Sequence, residues 1–196
     1  MPTLALPDAN VLHARTLRDW LLMLKDTSHG DMFRLAYTED IVAETLYHIR
    51  RKNADLDGGV LADVREKIVA VMDVRIRDYP SGQDAIQIAD PFDRHIHAAA
   101  MAGEVDCIVT SDHGFTKLPV EVRDQLEYEI YTPDEFFVLV DDSSPSLVRA
   151  TAQRQIEYFG VNRKNPNYDL AGALIRSGCP DFADRVKRRC QELARS

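Results

Sequence analysis

Several familiar signals are missing from this sequence. No apolar run approaches the roughly 20 residues that a bilayer span requires, so no membrane association is expected. Met1-Pro2-Thr3-Leu4 has neither the basic region nor the apolar stretch of a secretion signal. Cysteine is scarce. Cys107, Cys179 and Cys190 are odd in number and lack metal-ligand spacing, so buried or free thiols in a reducing cytoplasm are expected. There is no internal repeat, no low-complexity tract and no glycine-rich phosphate loop. No Ser-His-Asp or Cys-His arrangement has supporting local sequence. Positive charge is also short: 24 Lys and Arg against 32 Asp and Glu leave −8. That balance argues against a protein that holds nucleic acid by bulk electrostatics.

What is present is an ordinary globular composition, 45% hydrophobic and 29% charged over 196 residues. The length suits one α/β domain with an appendage better than two full domains. Charge is unevenly spread, with a net −13 over residues 1–142 and +5 over residues 143–196. Strand-like stretches at Thr3–Leu6, Phe33–Tyr37, Ala85–Ala89, Val105–Thr110 and Tyr128–Tyr131 alternate with helical periodicity. One helix is expected from Val11 to Lys25, with Leu17, Trp20, Leu21 and Leu24 in its core stripe. A second, capped by Thr38 or Asp40, runs through Arg50. A long amphipathic helix carries Leu61, Val64, Ile68, Val71 and Met72 and ends at Tyr79-Pro80-Ser81-Gly82. Asp90-Pro91 caps a further helix that Gly103 stops. Thr132-Pro133-Asp134-Glu135 opens one more. The alternation implies a mostly parallel sheet covered on both faces. Asp141-Asp142-Ser143-Ser144-Pro145 reads as a hinge, giving an α/β domain over 1–142 and a basic helical extension over 143–196. Two or three helices are expected in that extension, at Ser146–Phe159, Tyr168–Arg176 and Pro180–Ala194.

Three acids fall where an open α/β sheet binds its ligands. Asp8 and Asp112 each follow a strand, at the carboxyl ends where such sites lie. Asp93 shares a helical stripe with Ile96 and Ala100, facing the sheet in the first turn. Alone, each acid is an ordinary turn or cap residue. Together they repel: two carboxylates 4 Å apart cost about 4 kcal/mol at an effective dielectric of 20. A proton or a cation must relieve that cost. Oxygen-only donors point to Mg²⁺ or Mn²⁺ rather than zinc, and such a site suits phosphodiester hydrolysis. Glu44 lies opposite the apolar stripe Val42–Leu46–Ile49, where a solvated face is the default. His95 and His97 face apart on their helix and make a poor metal pair. His13 and His113 could reach a site, but nothing local holds them there.

Pro7-Asp8-Ala9-Asn10-Val11-Leu12, Asp90-Pro91-Phe92-Asp93-Arg94-His95-Ile96-His97-Ala98-Ala99-Ala100 and Ile108-Val109-Thr110-Ser111-Asp112-His113-Gly114-Phe115 together resemble the PIN-domain nucleases. The layout over residues 3–140 looks like a VapC-type toxin of a bacterial type II toxin–antitoxin pair. The resemblance implies a three-layer α/β/α fold with a parallel sheet of order 3-2-1-4-5. It implies Mg²⁺- or Mn²⁺-dependent cleavage of RNA, leaving 5′-phosphate and 3′-hydroxyl ends. The family's four acids fall on Asp8, Glu44, Asp93 and Asp112, with Asp8, Asp93 and Asp112 as metal ligands. Asn10 and Thr110 match its polar helpers, and Asp90 an acid that some relatives carry. A cytoplasmic homodimer is implied, with a VapB-like antitoxin that lays a helix in a groove and pushes an Arg or Lys into the acidic pocket. RNA such as tRNA or ribosomal RNA is the implied substrate.

Two departures stand out. Gly114 occupies a position where many relatives carry an accessory Asp, and the extension exceeds a minimal PIN toxin. In that extension Arg149, Arg154, Arg163, Lys164, Lys187, Arg188 and Arg189 are candidates for RNA or antitoxin contact, with a solvated helical face as the plain alternative. Two other functions stay open: a catalytically silent PIN scaffold acting as a binding module, and a related metal-dependent DNA nuclease.

Overall fold

The computed structural model describes residues 2–80, 94–162, 164–165 and 167–195. Chain contacts divide the protein into two compact units. The first comprises Met1–His13 and Phe33–Thr132, the second Ala14–Met32 and Pro133–Ser196. These units cut the chain differently from the expected boundary at 142/143. Ala14–Met32 joins the C-terminal helices because its apolar stripe belongs to their core.

The first unit is built on a five-stranded parallel sheet. Its strands are β1 (Thr3–Pro7), β2 (Phe33–Tyr37), β3 (Val74–Arg75), β4 (Cys107–Val109) and β5 (Glu129–Tyr131), in the order 3-2-1-4-5. The register sets Ala5 beside both Leu35 and Cys107, and Ile108 beside Ile130. Ala5, Leu6, Leu35, Ala36, Ile108 and Val109 are all fully buried. Burial of successive residues means that both faces of the sheet are covered, as a parallel sheet requires.

In chain order the helices are α1 (Ala9–His13), α2 (Arg15–Thr27), α3 (Glu39–Lys52), α4 (Gly58–Val71), α5 (Arg94–Ala102), α6 (His113–Thr116), α7 (Val120–Arg123), α8 (Pro133–Ser143), α9 (Pro145–Glu157), α10 (Leu170–Arg176) and α11 (Pro180–Leu193). A single π turn, Tyr158–Asn162, follows α9. Among the described residues no helix is long and apolar enough to cross a membrane.

Three expectations need correction. The helix expected at Val11–Lys25 is two helices, broken at Ala14, whose ψ of 105° is extended. Leu12 and Leu17 are five residues apart, about 140° round a continuous helix, so one straight helix could not bury both stripes on one side. The helix expected to reach Tyr79 ends at Val71 and buries only Ile68 among its residues. The third strand follows it directly at Val74–Arg75. Asp73 fastens that strand, donating its N–H to the Leu35 carbonyl and accepting the Leu35 N–H, both at 2.8 Å. The Ala85–Ala89 stretch expected as a strand lies outside the described residues. Finally, the strand expected from Val105 begins at Cys107. The preceding residues close α5 instead: Gly103 and Val105 donate to the Ala99 and Ala100 carbonyls. Gly103 is demanded there, because a Cβ would lie 2.4 Å from Ile76 Cδ1.

The third helix shows local rules at work. Thr38 Oγ1 accepts the Ile41 N–H, Glu39 and Asp40 occupy the first turn, and Arg50, Arg51 and Lys52 the last. Both charge sets complement the helix dipole.

The second unit is helical. Trp20 meets Phe182 edge-on at 5.0 Å, and Phe182 meets Phe137 at 5.0 Å. The Asp134 carboxylate accepts the N–H groups of Phe182 (2.8 Å) and Asp181 (3.2 Å), supplying a cap to α11 that Cys179 does not. The turn between α10 and α11 uses Gly178 at φ +82°. The Gly178 N–H bonds the Ile175 carbonyl and the Cys179 N–H the Leu174 carbonyl, the pattern of a left-handed helix stop. Asp141 is wholly buried yet charged. Arg189 grips it with Nε (2.8 Å) and Nη2 (2.9 Å), and Arg185 Nη1 adds a third bond at 3.2 Å. All three cysteines are free thiols, as expected. Burial pushes Cys107 and Cys179 up to about 12, so both stay protonated and behave as small apolar groups.

Candidate active site

The site lies at the carboxyl edge of β1 and β4, within the first unit. Asp8 is the first residue past β1 and is 4% exposed. Its N–H continues the sheet ladder to the Val109 carbonyl at 3.0 Å, which fixes where its side chain emerges. Oδ1 accepts the Ala9 N–H at 2.5 Å, and Oδ2 accepts the Thr110 hydroxyl at 2.7 Å. Asn10 Nδ2 donates to Asp8 Oδ2 and, at 2.9 Å, to Thr110 Oγ1. Asn10 Oδ1 in turn accepts the Ser111 N–H at 3.0 Å. The two strand ends are thus tied by side chains about a hundred residues apart in sequence.

Asp112 sits just beyond, at the cap of α6. Its Oδ1 accepts the Gly114 N–H at 2.5 Å, and its own N–H donates to Thr110 Oγ1 at 3.0 Å. Thr110 therefore orients both acids. Its hydroxyl donates to one and accepts from the backbone of the other.

These groups open onto a cavity of about 420 Å³. Three carboxylates line it, those of Asp8, Glu44 and Asp112, together with Asn10. His13, His48 and His95 supply the remaining polar rim and Ile96 an apolar wall. Glu44 is half-buried rather than fully solvated, and its Oε1 lies 3.4 Å from His48 Nε2 one turn along α3. Sequence reasoning found Asp8, Asn10, Glu44, Thr110 and Asp112. Of the histidine rim it named His13 as able to reach a site, set His95 aside as half of a poor metal pair and missed His48. The spacing of Glu44 and His48 at i, i+4 on one helix was the available signal. His97, the other half of the poor metal pair, is buried with Nδ1 at 2.7 Å from the Tyr128 hydroxyl. Asp90 and Asp93 lie outside the described residues, as does Arg163.

The electrostatics are dominated by burial. Burial is the main force on the Asp8 carboxyl and pushes it up; the bonds from Thr110 and Ala9 partly offset this, and the charges of Glu44 and Asp112 raise it again. The result is a pKa of about 6, against an ordinary 3.8. A carboxylate in this state gains from any nearby positive charge. Among the described residues no three His, Cys, Asp or Glu side chains stand close enough to hold a metal ion. The donor chemistry nonetheless fits a hard divalent cation. The acids offer only oxygen, and Mg²⁺ is commonly held by one or two carboxylates with water completing its shell.

A family profile described as the PIN domain matches residues 8–114, more than half the chain. The chain belongs to the PIN-domain family. The match begins at Asp8 and ends two residues past Asp112, so it spans the candidate site acids Asp8, Glu44, Asp90, Asp93 and Asp112. The PIN domain is usually a nuclease, and PIN nucleases typically use divalent metals. The α/β architecture with its 3-2-1-4-5 sheet agrees with that membership. No curated protein matches the chain significantly, and no solved structure does.

The candidate basic contacts are less uniform than their sequence suggests. Arg154 bonds Asp26 (2.8 Å) and Thr27 (2.6 Å), and Lys187 pairs with Asp184 at 2.9 Å. Arg189 holds Asp141 and also Glu192. These three have structural partners inside the second unit. Arg149, Lys164 and Arg188 are exposed.

Proposed function

We propose that the protein is a divalent-metal-dependent endoribonuclease, the toxin of a type II toxin–antitoxin pair. The observation that carries the nuclease reading is the convergence of Asp8, Glu44 and Asp112 on one cavity, with Asp8 buried and raised to about 6. Asp8, Asp93 and Asp112 would hold Mg²⁺ or Mn²⁺, with Glu44 assisting. When bound, such a cation offsets the charge of the carboxylates and of the phosphodiester that enters among them.

The chain's own residues prepare that encounter. Thr110 and Asn10 lock the Asp8 carboxylate so that it does not reorganise when substrate arrives. Gly114 and the Thr110 hydroxyl do the same for Asp112. Glu44, partly exposed at the cavity, would accept a proton from an attacking water. The acidic pocket also suits inhibition by an antitoxin that inserts an Arg or Lys. Exposed Arg149, Lys164 and Arg188 are the remaining basic groups for RNA or antitoxin on the second unit, and homodimerisation goes with this reading.

The test is cleavage of end-labelled tRNA and ribosomal RNA by antitoxin-free protein, with Mg²⁺, with Mn²⁺ and with chelator, beside Asp93→Asn and Asp112→Asn. Discrete fragments that vanish with chelator and with either substitution support the reading. Cleavage of single-stranded or flap DNA alone would replace it with a DNA nuclease. Metal binding without cleavage of any nucleic acid would leave a silent scaffold.

A further inference from the structure

The active-site cavity has a second chemical side that the carboxylates do not use. Glu44, His48 and Lys52 stand at i, i+4 and i+8 on α3, one face of one helix. That row starts at the cavity and steps about 6 Å along the helix at each interval. Helix α1 packs beside α3 and adds His13 to the row. The His13 and His48 rings lie 5.0 Å apart, and Lys52 Nζ lies 3.4 Å from His13 Nδ1. Lysine can only donate, so Nδ1 accepts and a neutral His13 carries its proton on Nε2. Beside His48, the Tyr47 ring is 61% exposed and meets the imidazole edge-on at 5.4 Å.

A solvated helix face would account for Glu44 and His48 alone. It does not account for an imidazole from a second helix closing on His48 and Lys52 together. The surrounding body is acidic, with a net −13 over residues 1–142. That net charge disfavours a polyanion, and beside the cavity it meets nitrogen donors and an exposed aromatic face. Single-stranded nucleic acid is held by such pairings of basic groups with stacking rings.

We propose that His13, His48 and Lys52 bind the phosphodiester next to the one cleaved, and that Tyr47 stacks on a base of the same single strand. This rests on the acidic cavity being a nuclease centre, and it assigns the track by which substrate lies across that centre. The track needs an unpaired strand, since a base cannot reach Tyr47 from inside a duplex.

The experiment measures binding of a fluorescein-labelled ten-nucleotide single-stranded RNA, and of the matching duplex, to Asp112→Asn protein in Mg²⁺. Lys52→Gln and His13→Gln are added to that background, with thermal melting to show that each is folded. Each is expected to weaken single-strand binding about five- to tenfold. Lys52→Gln should also lower the slope of log affinity against log salt by about 0.7, the value for one phosphate on a single strand. Lys52→Arg should restore both. In the cleavage-competent protein Lys52→Gln should raise KM and leave kcat within about twofold. Unchanged affinity and unchanged slope in Lys52→Gln and His13→Gln would overturn the track while leaving the acidic centre intact. Lys52-dependent binding by a protein that cleaves nothing would support the track and overturn the nuclease reading. Equal or tighter binding of the duplex would overturn the track.

Discussion

Asp8 and Asp141 are both buried aspartates, and they stand in opposite electrostatic states. Asp8, in the sheet unit, is surrounded by neutral donors: a threonine hydroxyl, an asparagine amide and a backbone N–H. Burial raises its carboxyl to about 6, and two nearby acids add to the rise. Burial pushes Asp141 up as well, but the bonds and charges of Arg189 and then Arg185 outweigh it and hold the carboxyl below its ordinary value. One acid is held in place without a counter-charge. The other has its counter-charges built in. The difference separates a buried acid held only by neutral donors from a buried acid that fastens helices together. Burial alone would not have told them apart.

The sharpest way to break this comparison is to neutralise each acid. Asp8→Asn should lower the cleavage rate about a hundredfold or more. The same change should stabilise the metal-free protein at pH 8 by about 3 kcal/mol, since a rise in pKa from 3.8 to about 6 is a cost of that order for the ionised form. Asp141→Asn should do the reverse. It should destabilise by about 3 kcal/mol in urea melts, because two arginines lose the acid they were folded around. Cleavage per folded molecule should stay within about twofold. If both substitutions destabilise alike, the contrast between the two acids is wrong.

A pH series sharpens it further. The folded-state value for Asp8 lies above the unfolded 3.8, so the native state holds an extra proton between pH 3.8 and about 6. Its contribution to stability therefore falls as pH rises through that window and is flat above it. For Asp141 the shift is downward, so its contribution is present above the ordinary carboxylate value and is lost as pH falls through its folded value. Proton competition at Asp8 should also weaken Mg²⁺ binding about tenfold between pH 7 and pH 5, measured by calorimetric titration. Chelator should leave no cleavage at either pH.

The smallest expected effect is at Thr110. Thr110→Val keeps the shape and removes the hydroxyl that Asp8 accepts. Losing one such bond, about 1 kcal/mol, should move the Asp8 titration up by about 0.7 unit and slow cleavage up to about tenfold. A carbon-13 titration of the Asp8 carboxyl would read the shift directly. No movement would mean that the Thr110 hydroxyl does not help to set its pKa.

Much of this was visible along the chain. Phe33–Tyr37 alternates as a strand and is one. Thr38 and the charges of α3 mark that helix at both ends. Asp8 and Asp112 were identifiable as residues at strand ends, because that position follows from the strand itself, whereas Asn10 and Thr110 were picked out only by the family resemblance. The third strand was not visible at Val74–Arg75, because two residues carry no periodicity and only pairing with β2 makes them a strand. The break at Ala14 was equally hidden, since each half has good helical spacing and only the phase between their buried faces requires it.

What the amino-acid sequence determined by itself is therefore the local structure and the chemical inventory: caps, stripes, strand ends and a set of acids. These depend on residues within about a turn of one another. The tertiary structure decided which of those acids meet and what they meet. Thr110 reaches Asp8 across 102 residues, and Arg189 reaches Asp141 across 48. Nothing local distinguishes an aspartate that will find a threonine from one that will find an arginine. The solvation and charge around a carboxylate come from groups brought up by the fold, and those set whether it is a poised group or a fastener.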